Sequence, residues 1–127
     1  MSRPVLLDAS FLIDLDRETR RREEGPARKF LPRLRGRKLV ISVVTAEEML
    51  EGAADEKETL LALQRFAIPG LHFSNAQKCA QLQRRSSRRM GENDAWLVAT
   101  AEAIDAEVVG ADRGAFERLG QRYLRFR

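Results

Sequence analysis

The sequence has one cysteine, one histidine and no long hydrophobic run, and each shortage excludes a class of protein. Cys79 has no second cysteine with which to form a disulfide bond within the chain. His72 alone cannot build a histidine-rich zinc site, and it makes a Ser-His-Asp triad a poor prediction. The longest mostly apolar stretch, residues 39–46, is far shorter than the ~20 residues of a membrane-spanning helix. Any chemistry must therefore rest mainly on carboxylates.

The start of the sequence offers no signal-peptide core, because the first apolar run, Val5–Leu7, ends at Asp8. We therefore expect a cytoplasmic protein with no membrane partner. The length of 127 residues predicts one domain over residues 1–127, large enough to bury a hydrophobic core of its own.

Basic residues outnumber acidic residues, and most of the basic residues are arginine. Lys plus Arg total 23 against 19 Asp plus Glu, which gives a net charge of +4, and 19 of the 23 are arginine. A planar guanidinium suits phosphate recognition, so this composition favours a polyanionic partner such as nucleic acid. A GC-rich genome, which favours arginine codons, accounts for the same composition equally well.

Short apolar runs alternate with amphipathic segments along the whole chain. The predicted strands are Val5–Leu7, Leu39–Val44, Leu71–Phe73, Glu107–Val109 and Tyr123–Phe126. The predicted helices are Phe11–Glu24, Ala27–Arg35, a helix from Thr45 to about Gly52, Glu56–Ala67, Ser74–Arg89, Asp94–Ile104 and Arg113–Leu119. This order predicts an α/β domain with a mainly parallel central sheet and helices on both faces.

Four acids follow predicted strands or open predicted helices, namely Asp8, Glu48, Asp94 and Asp112. In open α/β sheets ligands bind at the carboxyl ends of the strands, so we expect these side chains to converge there. Clustered carboxylates repel one another unless a cation lies between them, and hard oxygen ligands favour Mg²⁺ or Mn²⁺. Each acid also has a simpler interpretation as a helix cap or as a favourable charge at a helix N-terminus.

Four segments together resemble the PIN domain family, and most closely its VapC-type toxins. They are VLLDASFLID (5–14), ISVVTAEEMLEG (41–52), NDAWLVATA (93–101) and VVGADRGAF (108–116). The resemblance extends over almost the whole chain. It implies a metal-dependent endoribonuclease, the toxin of a toxin–antitoxin pair, that hydrolyses RNA phosphodiester bonds.

The resemblance also implies roles for particular residues. The catalytic acids would be Asp8, Glu48, Asp94 and Asp112, and Asp8 and Asp94 would be the principal ligands of Mg²⁺ or Mn²⁺. Glu48 would help position the metal or a second ion, and Asp112 would complete the pocket. Further implications are a homodimer and a cognate antitoxin whose tail covers the acidic pocket.

Three details refine the resemblance. Glu48 fits the family's glutamate better than Glu47 does, because it stands three residues after Thr45. Ser10 matches a small polar residue often found two positions after the first aspartate. The family usually has Thr or Ser two residues before the fourth acid, whereas this chain has Gly110, so a hydroxyl that could orient a carboxylate or a water is missing.

Two other functions compete with the nuclease. A non-catalytic RNA-binding module on the same fold has the missing hydroxyl at Gly110 as its support. A phosphate-accepting aspartate at Asp8 is disfavoured, because dehalogenase-like enzymes need Asp-x-Asp and this chain has Ser10 at the third position. A receiver domain needs a lysine after a late strand, but the last lysine is Lys78.

Arginines 84, 85, 88 and 89 stand immediately before the Asp94 segment. They are interpreted as a phosphate clamp that leads RNA to the acids. The alternative is a solvated helix end, at which cations favour the helix dipole.

Overall fold

The computed structural model describes residues 3–111 and 117–127, apart from the side chains of residues 117, 118 and 121. Within them four strands form one parallel sheet in the order β2-β1-β3-β4. The strands are β1 (Val5–Leu7), β2 (Leu39–Val40), β3 (Glu107–Gly110) and β4 (Tyr123–Arg125). The α/β class and the parallel sheet that the sequence predicts are confirmed.

Six α-helices lie within the described residues. They are α1 (Ala9–Arg21), α2 (Pro26–Phe30), α3 (Val43–Glu51), α4 (Glu56–Leu63), α5 (Phe73–Arg85) and α6 (Glu92–Ala103). Short 3₁₀ segments follow α2 at Leu31–Leu34 and precede β4 at Glu117–Arg122. The helix predicted at Arg113–Leu119 begins in residues outside the described part of the chain, so the structure does not test its start.

Alternation along the strands gives the sheet two apolar faces with separate cores. Leu6 and Val108 face α5 and α6. Val5, Leu7 and Val109 face the opposite layer, which contains α1, α2 and α3. Since both faces of the strands are covered, the strands are continuous apolar runs in the sequence. The helices therefore lie on both faces of the sheet, as predicted.

One predicted strand is too long and another is wrong. Strand β2 ends at Val40, because Ser42 already occupies the N-cap position of α3. The segment Leu71–Phe73 is not a strand, since α5 begins at Phe73 with His72 as its N-cap. The backbone next to β2 pairs instead with Ala67, whose N–H donates to Leu39 and whose carbonyl accepts from Ile41.

No helix in the described part of the chain is both long enough and apolar enough to cross a membrane.

Candidate active site

Asp8 lies at the carboxyl end of β1, against the end of β3. Its N–H donates to the carbonyl of Val109 (2.9 Å), and its carbonyl accepts from Phe11 in the first turn of α1. Asp8 is the N-cap residue of α1 by backbone position, but within residues 3–111 its carboxylate makes no capping hydrogen bond to the helix. Asp8 is therefore the N-cap that the simpler interpretation predicts, but its carboxylate lies at the sheet edge and does not itself cap the helix.

The Ser10 hydroxyl fixes the Asp8 carboxylate. Ser10 Oγ donates to Asp8 Oδ2 (2.8 Å) and accepts from the backbone N–H of Ala111 (3.2 Å). The hydroxyl thus links β1 to the residue that follows β3. Ser10 therefore supplies a hydroxyl that orients Asp8, although position 110, where the family usually has Thr or Ser, is glycine in this chain.

Glu48 is partly buried on α3 and lies close to two of the other acids. Burial raises the pKa of the Glu48 carboxyl, and repulsion from Asp8, Asp94 and Glu47 raises this pKa further. A hydrogen bond with the Asn93 side chain acts in the opposite direction. Because charges interact strongly only over short distances, Asp8, Glu48 and Asp94 form one acidic cluster.

The neighbouring Glu47 belongs to a different surface. It is exposed, and repulsion from Glu51, one turn further along α3, is the main reason that the Glu47 pKa is raised. The structure therefore places Glu48, and not Glu47, beside Asp8.

The capping box that Thr45 and Glu48 predict does not form. Helix α3 begins two residues earlier, and Ser42 Oγ accepts from the Thr45 N–H (2.9 Å). Because Ser42 caps the helix, Glu48 lies in its second turn and its carboxylate is not needed at the N-terminus.

Asp94 is the third residue of α6, which brings its carboxylate to the acidic cluster from the α5–α6 face of the sheet. A negative charge in a first helical turn is favoured by the helix dipole. Gly91, the N-cap residue, leaves the space that Asp94 uses, since a Cβ at Gly91 would lie 3.3 Å from Asp94 Oδ2. Asp112 lies outside the described residues, and its place relative to the other three acids stays a prediction.

Within residues 3–111 and 117–127, no three His, Cys, Asp or Glu side chains are arranged as a ready metal site. The donor chemistry of the acidic cluster nevertheless fits a divalent cation. Carboxylate oxygens are hard ligands, and Mg²⁺ needs only one or two of them because water and phosphate oxygens complete its shell. Burial is the main reason that the Glu48 pKa is raised, and the further repulsion from Asp8 and Asp94 is an interaction that a cation between them would relieve.

Asn93 was missed by sequence reasoning as a site residue. No sequence pattern predicts that the Asn93 amide interacts with a glutamate 45 positions earlier. Only the packing of α6 against α3 reveals this interaction.

The four arginines before α6 are all exposed, and Arg89 pairs with Glu92 (2.9 Å). The structure therefore leaves these arginines accessible on the connection that leads into Asp94.

Comparison with known proteins gives one family and several similar folds. A family model described as the PIN domain matches residues 5–121. No curated protein sequence matches the chain. Among solved structures, a chain of a toxin–antitoxin complex from Klebsiella pneumoniae is 24% identical with a TM-score of 0.81, covering 97% of this chain and 98% of that one.

Two further structures share the fold at lower identity. A chain of VapBC-1 from nontypeable Haemophilus influenzae has a TM-score of 0.71 at 18% identity, covering 96% of this chain and 97% of that one. A chain of FitAcB from Neisseria gonorrhoeae has a TM-score of 0.70 at 19% identity, covering 89% and 91%. At these identities the likeness concerns the fold.

Proposed function

This chain belongs to the PIN domain family, and from that premise we propose that it is a metal-dependent endoribonuclease and the toxin of a toxin–antitoxin pair. The observation that carries the proposal is the acidic cluster of Asp8, Glu48 and Asp94 at the carboxyl edge of the sheet. Three distant segments of the chain contribute to it, and within the described residues neither the Asp8 nor the Glu48 carboxylate caps a helix.

The proposed metal ligands are Asp8 and Asp94, with Glu48 and Asp112 as the other two catalytic acids. Mg²⁺ or Mn²⁺ held there would supply Lewis acidity, which neutralises charge on a phosphodiester and lowers the pKa of a bound water. The support for this assignment is the chemistry of the carboxylates and the mutual repulsion that affects Glu48.

The other residues of the site hold the acids in place. Ser10 donates to one Asp8 oxygen, which leaves the other oxygen available to a ligand. Asn93 forms a hydrogen bond with Glu48, which offsets part of the repulsion from Asp8 and Asp94. A carboxylate fixed before the substrate arrives loses little conformational freedom on binding, so the site is organised in advance.

We propose that RNA reaches the acids along the arginine run at residues 84–89. The run is exposed and joins the end of α5 to the start of α6, whose third residue is Asp94. Guanidinium groups there would bind phosphates on either side of the cleaved bond. This placement favours the phosphate-clamp interpretation over that of a solvated helix end.

A cognate antitoxin and a second copy of the chain are the proposed protein partners. The similar chain from Klebsiella pneumoniae comes from a toxin–antitoxin complex. Large apolar side chains are exposed on this chain, with Phe73 79% and Leu61 65% accessible. These side chains are available for contact with a protein partner. We place the protein in the cytoplasm, where RNA and an antitoxin are both present.

The proposal is tested by expressing the chain without an antitoxin in bacterial cells. We expect wild type to arrest growth and to produce discrete RNA ends, and we expect Asp8→Asn to lose both effects. Asp16→Asn is the matched control, because Asp16 is an exposed α1 carboxylate that pairs with Arg20 (2.9 Å). Growth arrest and RNA cleavage by Asp8→Asn at the wild-type level would contradict the nuclease. Arrest with bound but intact RNA would favour the non-catalytic RNA-binding module.

A further inference from the structure

Gly110, the last residue of β3, lies directly beside Asp8. A Cβ at this position would be 3.3 Å from both Asp8 Cβ and Asp8 Oδ2, and 3.4 Å from Tyr123 Cε1. The backbone of Gly110 is not in the left-handed region, so any residue could adopt its conformation. Glycine therefore leaves space that a Cβ would fill only if Asp8 or the ring of Tyr123 moved by a few tenths of an ångström.

Tyr123 reaches this place from the neighbouring strand. In the parallel register Tyr123 lies opposite Val108, and Gly110 lies opposite Arg125. Gly110 is thus the diagonal neighbour of Tyr123, at a distance that aromatic side chains can cover. An aromatic ring placed over a strand glycine is a recognised way to protect that glycine. The Tyr123 ring is partly buried against the core that contains Leu6 and Val108.

We propose that Tyr123 is a positioning residue for Asp8, and that it acts through the space left at Gly110. The Ser10 hydroxyl donates to Asp8 Oδ2 at 2.8 Å, and Asp8 Cβ and Oδ2 line the space at Gly110 whose opposite wall is the Tyr123 ring. The hydroxyl and the tight packing at Gly110 together limit the movement of the Asp8 side chain. This inference rests on the proposed function, because a fixed Asp8 matters only where the carboxylate binds a metal.

The steric contact has a consequence for the hydroxyl that the family resemblance predicts at position 110. Thr or Ser at Gly110 would bring Cβ within 3.3 Å of Asp8 and would displace either that carboxylate or the Tyr123 ring. Gly110 and Tyr123 are therefore a matched pair, and restoring the hydroxyl alone weakens the site.

The test measures Mn²⁺ affinity by electron paramagnetic resonance of the unbound ion, at a temperature at which every variant is folded. We expect Tyr123→Ala to weaken Mn²⁺ binding about tenfold, the size typical for loss of a group that orients a metal ligand. Tyr123→Phe keeps the ring and should bind within about twofold of wild type by the same steric reasoning. Gly110→Ala should also weaken Mn²⁺ binding, but by crowding, since the added Cβ presses on Asp8.

Leu124→Ala is the matched control, because Leu124 is the next residue of β4 and packs against the core on the other face of the sheet. This control should lower the melting temperature and leave Mn²⁺ affinity unchanged. The double variant Gly110→Ala with Tyr123→Ala should bind Mn²⁺ no more weakly than Gly110→Ala alone, because the missing ring gives the new methyl group room.

The outcomes separate this inference from the proposed function. Wild-type Mn²⁺ affinity in both Tyr123→Ala and Gly110→Ala would overturn the positioning role and leave the nuclease proposal intact. Equal losses in Tyr123→Phe and Tyr123→Ala would overturn the steric account, since the ring is kept in one of them. If wild type binds no Mn²⁺, the proposed metal site fails, and the inference fails with it.

Discussion

At the scale of single residues, each acid of the cluster has a partner that determines its role. Asp8 is the N-cap residue of α1, yet its carboxylate accepts from the Ser10 hydroxyl and, within the described residues, makes no capping hydrogen bond to the helix backbone. Glu48 interacts with Asp8 and Asp94, whereas the adjacent Glu47 interacts with Glu51. The charges that are unfavourable in the metal-free protein are the ones that a cation would neutralise.

Glu48 should destabilise the metal-free protein at neutral pH. Burial and repulsion raise its pKa in the folded state above that in the unfolded state. The folded state therefore binds the proton more tightly, and the free energy of unfolding falls as pH rises through the ordinary pKa of glutamate to the raised pKa. We expect Glu48→Gln to have a higher melting temperature than wild type in EDTA at pH 7. This advantage should shrink as the pH is lowered to the ordinary pKa of glutamate.

Thermal denaturation in EDTA between pH 4 and pH 8 measures this difference. Glu102→Gln is the control, because Glu102 is exposed on α6 and its substitution should change the melting temperature little at any pH. A Glu48→Gln variant that is less stable than wild type at pH 7 would contradict the electrostatic account of the cluster.

At the scale of secondary-structure elements, the start of α3 decides where Glu48 lies. Ser42 is fully buried, and its hydroxyl accepts from the Thr45 N–H, one of the helix donors that has no partner within the helix. This cap sets the rotation of α3 so that Glu48 lies towards Asp94 while Glu47 is exposed. The capping residue therefore belongs to the support of the site.

Ser42→Ala should lower the free energy of unfolding by about 1–2 kcal/mol, because a buried helix N–H loses its acceptor. Asp55→Ala removes the cap of α4, where Asp55 Oδ1 accepts from the Glu58 N–H at 3.3 Å on an exposed surface. That control should cost at most about 0.5–1 kcal/mol, since water can replace the lost acceptor. Urea denaturation of both variants checks the order, and equal costs would show that burial of the Ser42 cap is unimportant.

Sequence patterns predicted the elements better than their ends. The buried strands at residues 5–7 and 107–109 and the apolar helix at Asp94 lie where they were expected, because strong apolar runs locate buried elements. The β-branched run through Val43 and Val44 predicted a long strand, but Ser42 caps a helix there and tertiary packing overrides the strand propensity.

The acids of the site were predictable, and their supporting residues were only partly so. Asp8, Glu48 and Asp94 follow from their positions after strands and at helix starts, and the structure brings these three together. Asn93 and Tyr123 carry no local signal, since their contacts with the site arise from the packing of α6 and β4. Asp112 keeps its role as a prediction.

At the scale of the whole molecule, helices cover both faces of the sheet. The polar residues of the candidate site therefore lie at its carboxyl edge. The acidic cluster lies at that edge on a protein with a net charge of +4. A basic protein with an acidic centre would attract a polyanion, and the proposed site would need a cation where phosphates meet the carboxylates.

The arginine run should contribute to RNA affinity in a salt-dependent way. In Arg84→Gln with Arg88→Gln, measured in EDTA to prevent cleavage, we expect the slope of log K against log salt to decrease by about 0.7 for each phosphate that the variant no longer neutralises. Arg21→Gln with Arg22→Gln removes the same charge from the end of α1 that is roughly 18 Å from Asp8, and should change the slope little. Equal slopes in the two double variants would show that net charge alone binds the RNA.

The cleavage of total cellular RNA by the purified chain tests the central claim most directly, with new ends mapped by sequencing. The reactions contain Mg²⁺ or Mn²⁺ in one series and EDTA in the other, and wild type is compared with Asp94→Asn. The acidic cluster predicts discrete ends that appear only with the metal and only with wild type. Ends that persist in EDTA, or that Asp94→Asn produces at the wild-type level, would contradict a carboxylate-held metal as the basis of the activity.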